Sequence, residues 1–339
     1  MPTSISDTSG KWGFPGKCDI PLRTLDNFVK TITQEIQPDF IIWTGDNPSH
    51  TPWQSNYDEV YNSTQTFVDL LVKKYNYTKP VFVAFGNHES SITDQFHPYN
   101  KTKNAEFLST MQLINKNWIK TEEEKSTFLQ YGYFTTKYLN TNLRIISLNC
   151  FLCDTFNFYL IKNPTDPFNQ FKWLENILRS AEILKEEVFI ISHIPPGDTN
   201  YLSECSKRFK AIVDRFQNII KGQFYGHTHY DEMKFIPEYF NSSEIAGVEF
   251  VAPSLTTYSF QHPSLRVFEM DEDTKILFNY IQYRLNITEA NLLKNDEEPK
   301  WKIVYNANEV KNYLLFIFLI FFFYFFSIFL FYIYLLYFT

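Results

Sequence analysis

The sequence predicts an α/β domain built on buried sheets. Two patterns carry that expectation: short apolar runs that each end in a polar turn, and amphipathic helical stretches between them. At 339 residues the chain has room for one large domain or two ordinary ones.

Taken in order, residues 21–36 place Leu22, Leu25, Phe28, Val29, Ile32 and Ile36 on one helical stripe. "DFIIWTGD" then reads as a short buried strand. Tyr57 to Lys74 returns to helix, with Val60, Tyr61, Phe67, Val68 and Leu71 on one side. "PVFVAFGNHE" and "LRIISLN" are two further strands. "DPFNQFKWLENIL" opens a helix, with Asp166 able to cap it and Pro167 fitting its first turn. "EVFIISHIPPG" is a strand, Cys205 to Ile219 a helix, and "GQFYGHTH" another strand. "VEFVAPS" and "LRVFEM" are late strands. No internal repeat is present. After Tyr283 the text turns polar and reads as a junction, 291–312, leading to an apolar tail.

That tail, 313–339, carries no charge and exceeds the roughly 20 residues that span a bilayer. It reads as a transmembrane helix. A glycolipid-anchor signal fits less well, because no clear polar spacer precedes it, and translated non-coding sequence can produce similar Phe-rich runs. The net charge of −7, with no basic run, excludes a nucleic-acid surface. Four cysteines, Cys18, Cys150, Cys153 and Cys205, are too few for a disulfide scaffold but enough for one bridge. Sequons at Asn62, Asn76, Asn100, Asn241 and Asn286 lean, together with the tail, towards an extracellular or endolysosomal domain on a membrane. The N-terminus, however, lacks the apolar core of a signal peptide.

The chemistry gathers at strand ends: Asp46 and Asn47 with His50, Asn87-His88-Glu89, His193, and His227 with His229. Five of the seven histidines lie just past apolar strands. In open α/β sheets this is where sites form. A lone histidine here is more often structural; five, with an Asp and an Asn, are not so dismissed. Carboxylate, amide oxygen and imidazole together suit Zn²⁺, Mn²⁺ or Fe²⁺.

In order and spacing, "WTGDNPSH", "GNHE", "SHIPPG" and "FYGHTHYDE" resemble the calcineurin-like metallophosphoesterases, and within them the acid sphingomyelinase-like phosphodiesterases. "LRIISLN", "NPTDPFNQFKWLE" and "YRLNITEAN" match that branch too, so the resemblance runs from about Lys17 to Tyr305. It implies a four-layer β-sandwich flanked by helices, over 21–290, carrying a site for two divalent ions, most simply Zn²⁺. Asp46 would bridge the ions. Asn87, His193 and His227 would complete one shell, and His229 would belong to the other. A metal-bound hydroxide would attack phosphorus in a phospholipid-headgroup or nucleotide phosphodiester. His88 would steady a phosphate oxygen, and His50 would protonate the leaving alcohol. The bland reading of His50 is a solvated loop residue. Asp231 would orient a ligand or lie idle on the surface. The resemblance also pairs Cys153 with Cys205.

The family's opening Asp-x-His strand, which supplies two ligands of the first ion, has no counterpart, because no histidine precedes His50. Asp7 and Asp19 lie on no apolar strand. A partner for Cys18 is missing as well, so residues 1–20 read as the remnant of a shortened N-terminus. Two functions follow: a membrane-anchored metal-dependent phosphodiesterase, or a catalytically impaired glycoprotein that keeps the fold as a binding or decoy module.

Overall fold

Helix α1 (Leu22–Lys30) forms on the predicted apolar stripe and continues as a wider turn, Thr31–Ile36, which Gln37 ends with a left-handed φ of 54°. Asn56 starts α2 (Tyr57–Asp69) by accepting a hydrogen bond from Glu59 N at 3.0 Å. The structure, a computed structural model, describes residues 10–310 except 99, 163–164 and 295–296. Two helices were not foreseen: α3 (Lys101–Ile114), capped by Asn100, and α4 (Glu122–Tyr131), opened by a Thr121–Glu124 capping box. Helix α5 (Gln170–Leu184) starts later than expected: Phe168 and Asn169 take left-handed backbones (φ 52° and 56°), so Pro167 lies in a separate turn and not in the helix, although the Asp166 carboxylate still accepts from Phe171 N and Lys172 N. Helix α6 spans Ser203–Phe216, and α7, capped by Asn286, is short (Ile287–Asn291).

Strands β1 (Ile41–Trp43) and β2 (Val81–Val83) pair in parallel. Strands β3 (Phe134–Lys137), β4 (Leu143–Ser147), β5 (Glu187–Ile191), β6 (Ile220–Tyr225), β7 (Glu232–Pro237) and β8 (Ile245–Val251) form one sheet in the order β3-β4-β5-β6-β8-β7. β4, β5, β6 and β8 run parallel, with antiparallel β3 and β7 on the edges. A third sheet, β11-β10-β9, contains β9 (Ser264–Met270), β10 (Leu277–Arg284) and β11 (Lys302–Asn306). The stretch expected as a linker, 291–312, therefore supplies β11, and Trp301 beside it is buried.

Strand alternation sorts these elements into layers. Val81 and Val83 of β2, with Ile41 and Trp43 of β1 and Leu265 of β9, pack against α1, α2, α3 and α4. The opposite faces, Phe82, Ile42, Phe268 and Met270, meet Leu143, Ile145, Phe189, Ile191 and Phe224 of the six-stranded sheet. That sheet's far side, Ile146, Val188 and Ile190, is covered by α5 and α6 through Phe171, Leu174, Leu178, Phe209 and Val213. The result is helices, sheet, sheet, helices. Each fully buried Leu, Ile or Phe contributes about 1.5–3 kcal/mol, so a one-residue slip of any central strand would forfeit many times that. A fourth cluster, Trp12, Leu285, Ile287, Ala290 and Trp301, ties the start of the described chain to its end.

The expected transmembrane helix at 313–339 lies outside the described residues. Among the described residues, no helix is long and apolar enough to cross a membrane. Cys153 and Cys205 form a disulfide, with Cα atoms 5.9 Å apart. Of the sequon asparagines, Asn62, Asn76 and Asn241 are exposed, whereas Asn100 and Asn286 are half-buried helix caps.

Candidate metal centre

The turns that follow β1, β2, β5 and β6 converge on one point. Gly45, at φ 89°, ends the β1 turn, and a Cβ there would lie 2.2 Å from Gly86 N at the end of β2. Two glycines thus let the two turns touch. Asp46 (φ 61°), His227 (φ 70°) and His229 (φ 66°) also hold left-handed backbones, an unfavourable state for such residues that the surrounding bonds impose. Glu89 supplies several of those bonds. Its buried carboxylate accepts from Gly86 N (2.5 Å), Asp46 N (2.9 Å), Asn47 N (2.7 Å) and Asn47 Nδ2 (2.9 Å).

Ligand-type atoms of Asp46, His193 and His227 all lie within 4.8 Å of one another. Among the described residues this is the one such group of His, Cys, Asp or Glu. His193 Nε2 is 2.9 Å from Asp46 Oδ2; burial would push this imidazole down, but the Asp46 charge outweighs it and pushes it up, so the pair is tightly engaged at the centre of the group. Asn87 Oδ1 joins the group, 3.0 Å from His227 Nδ1. Two imidazole nitrogens, a carboxylate and an amide oxygen pointing inward make a donor set that fits a divalent ion.

Each inward atom is fixed from behind. His193 Nδ1 donates to Thr44 O at 2.8 Å, which leaves the Nε2 lone pair for the site. Asn200 Nδ2 donates to His227 Nε2 at 3.0 Å, so Nδ1 points inward and donates to Asn87 Oδ1; an ion at Nδ1 would take the place of that proton. His88 N donates to Asp46 Oδ1 at 2.9 Å. Burial would push the Asp46 carboxyl up, but the His193 and His88 imidazoles outweigh it and hold it well below the usual carboxylate range. Burial, seconded by His193, pushes His227 down to about 4. Burial and the nearby His50 do the same to His229, also about 4. Neutral imidazoles are the form that binds metal.

His229 stands apart from that group. Its Nδ1 meets Ser259 Oγ at 2.8 Å, and its ring lies 4.9 Å from that of His50. The His50 and His88 rings are 4.8 Å apart, so these two histidines lie side by side. His50 is not a solvated loop residue. Its Nδ1 and backbone N meet the two oxygens of Asp19, at 2.7 and 2.8 Å, and its ring stacks on Tyr258 at 4.1 Å. Thr256 Oγ1 donates to the same Asp19 at 2.6 Å. Asp19 carried no strand signal in the sequence; the clue would have been an acid in the loop that meets His50, visible only once the loop is folded. Among the described residues, Asp231 makes no hydrogen bond to a histidine. It pairs with Arg266 and Tyr305, tying the histidine turn to β9 and β11.

Comparison with known proteins bears on the family and the fold. The Calcineurin-like phosphoesterase family profile matches residues 4–231. The chain is 34% identical over 316 residues to human sphingomyelin phosphodiesterase, covering 91% of this chain and 49% of that protein. It is likewise 34% identical over 314 residues to sphingomyelin phosphodiesterase B of Dictyostelium discoideum, covering 90% and 48%. Against cyclic GMP-AMP phosphodiesterase SMPDL3A of Bos taurus it is 34% identical over 310 residues, covering 86% and 66%. The chain thus spans about half the length of the sphingomyelin phosphodiesterases it matches. A dimetal phosphatase from Danio rerio shares the fold, with a TM-score of 0.50 at 13% identity, over 77% of this chain and 85% of that one. The chain belongs to the calcineurin-like phosphoesterase family.

Proposed function

We propose that the chain is a metal-dependent phosphodiesterase. One observation carries the reading: metal-facing atoms of Asp46, Asn87, His193 and His227 converge beside a histidine, His50, that the Asp19 carboxylate holds in one orientation. Zn²⁺ suits the two-nitrogen, two-oxygen set. When bound, such an ion supplies a Lewis acid that activates water and neutralises charge on a phosphoryl oxygen. The remaining steps belong to side chains. His88 lies beside His50, 4.8 Å ring to ring, where a phosphate oxygen would rest. Asp19 fixes the His50 tautomer with its proton on Nδ1, so Nε2 faces the site. A protonated His50 then delivers the Nε2 proton to the departing alkoxide, while Asp19 stabilises the imidazolium. A binding or decoy module would have no use for this paired acid, and the relatives' printed activities favour the enzyme.

The names of those relatives give two substrate classes to test, a choline phospholipid and a cyclic dinucleotide. The sequons, three of them on exposed asparagines, and the apolar run 313–339 support an extracellular or lumenal placement beside a membrane. The deciding experiment measures turnover of an aryl phosphodiester, sphingomyelin and cyclic GMP-AMP by the full chain, with and without added Zn²⁺. Zinc-dependent cleavage of any of them, lost in His193→Ala, is the expected result. No turnover above that variant with all three overturns the proposal.

A further inference from the structure

Asn87 can serve a cation only through its oxygen, and an amide has two ends of nearly equal shape. Something must decide which end faces the imidazoles. Asn87 Nδ2 donates to Asp94 Oδ1 at 2.8 Å, and Asp94 N donates back to Asn87 O at 2.9 Å. An ionised carboxylate accepts only, so it can pair with the NH2 end and no other. Asp94 holds a left-handed backbone, φ 69°, so that its side chain folds back onto the residue seven positions earlier.

Asp94 is braced in its turn. Its carboxyl meets that of Asp154, a residue 1% exposed whose Oδ1 accepts from Phe156 N at 2.8 Å. Asp154 follows Cys153 of the disulfide, and its backbone forms a bridge with Tyr201, next to the Asn200 that contacts His227. Two touching carboxyls need one proton between them. Burial, reinforced by the Asp94 charge, pushes the Asp154 carboxyl up to about 8.

We propose that Asp94, braced by Asp154, is a positioning residue that fixes the Asn87 amide with its oxygen towards the ion. The inference rests on the reading that a divalent ion binds this centre. Outer partners of metal ligands typically change affinity by about 10–100-fold. Asp94→Gly removes the carboxylate while tolerating the positive φ, and Asp94→Asn keeps an acceptor for Asn87 and gives Asp154 a donor.

Protein stripped with a chelator is titrated with Zn²⁺ against a chromophoric competitor, and the melting temperature of each stripped variant is recorded. D94G is expected to bind Zn²⁺ about 10–100-fold more weakly, with D94N within about threefold of the parent. Near-equal melting temperatures of stripped D94G and D94N would place the loss in the site rather than in the fold. Parental affinity in D94G, or equal losses in both variants, overturns the inference alone. Zn²⁺ uptake by none of the proteins, parent included, overturns the metal reading together with it. Should D94G fail to fold, Asp154→Ala against Asp154→Asn provides the same contrast; equal affinities there overturn the proposal.

Discussion

At the scale of the residue, the site depends on a few polar side chains whose partners are distant in sequence. Glu89 shows why. Its carboxylate accepts four hydrogen bonds that lock the turns after β1 and β2, and burial and the Asp46 charge push its pKa up. Glu89→Ala strands those donors, three of them backbone amides, at about 1–3 kcal/mol each if unsatisfied. The expected outcome is a loss of about 3–5 kcal/mol in urea unfolding together with loss of metal binding; a loss below 1 kcal/mol would show that the turns hold without it. His50 makes the second residue-scale prediction. If it protonates the leaving group, His50→Ala should lower kcat about 10²–10⁴-fold for an alkyl leaving group. With p-nitrophenoxide, which leaves without a proton, the loss should shrink to about tenfold or less. Asp19→Asn should follow the same split more weakly, and equal losses for both leaving groups would remove His50 from that role.

At the scale of the element, strand β8 carries a carboxyl that disfavours neutral pH. Glu249 is 1% exposed, neither of its oxygens meets a donor, and burial pushes its pKa up to about 7. The folded pKa lies above the unfolded one, so between about 4.5 and 7 the folded state binds more protons. Stability from this group is therefore full below about 4.5 and falls as pH rises towards 7, by roughly 3 kcal/mol at most. Glu249→Gln should leave the unfolding free energy near pH 4 almost unchanged and raise it by about 2–3 kcal/mol at pH 7.5. An equal shift at both pH values would show that the carboxyl is not titrating in the fold. The same element-level logic explains what the sequence exposed. The helices at 21–36 and 57–74 and the strands ending in "TGD", "GNHE", "SHI" and "GHTH" were legible because a buried face leaves a period. β11 was not, because as an edge strand Lys302–Asn306 buries little and reads as polar linker. α3 and α4 left a weaker apolar stripe than α5, whose contact with the sheet is continuous. Asp19, Asn200 and Ser259 could not be found at all. They are single polar residues in loops, and their histidines are 31, 27 and 30 positions away.

For the whole molecule, the centre is where the two sheets of the sandwich are joined. Asp46 and Asn87 come from the β1–β2 sheet, and His193 and His227 from the six-stranded sheet, across the aromatic core of Phe82, Phe189 and Phe224. A ligand that holds all four therefore ties segments 181 positions apart, Asp46 to His227, in the folded state alone. By mass action, an ion at 100 times its Kd adds about 2.7 kcal/mol to folding, which in a domain of this size raises Tm by roughly 5 °C. Stripped protein titrated with Zn²⁺ should show that rise, and Asp46→Asn or His193→Ala should abolish it even where the variants remain folded. The stoichiometry is the sharper measurement. His229 lies outside the Asp46, His193, His227 group and is engaged with Ser259, so one tightly held ion per chain is expected. Two tight ions would mean that His50 and His229, 4.9 Å apart ring to ring, are drawn in to build a second site with Asp46 and Asp19. That arrangement would take His50 out of acid catalysis, so the leaving-group dependence of His50→Ala and the metal count must agree.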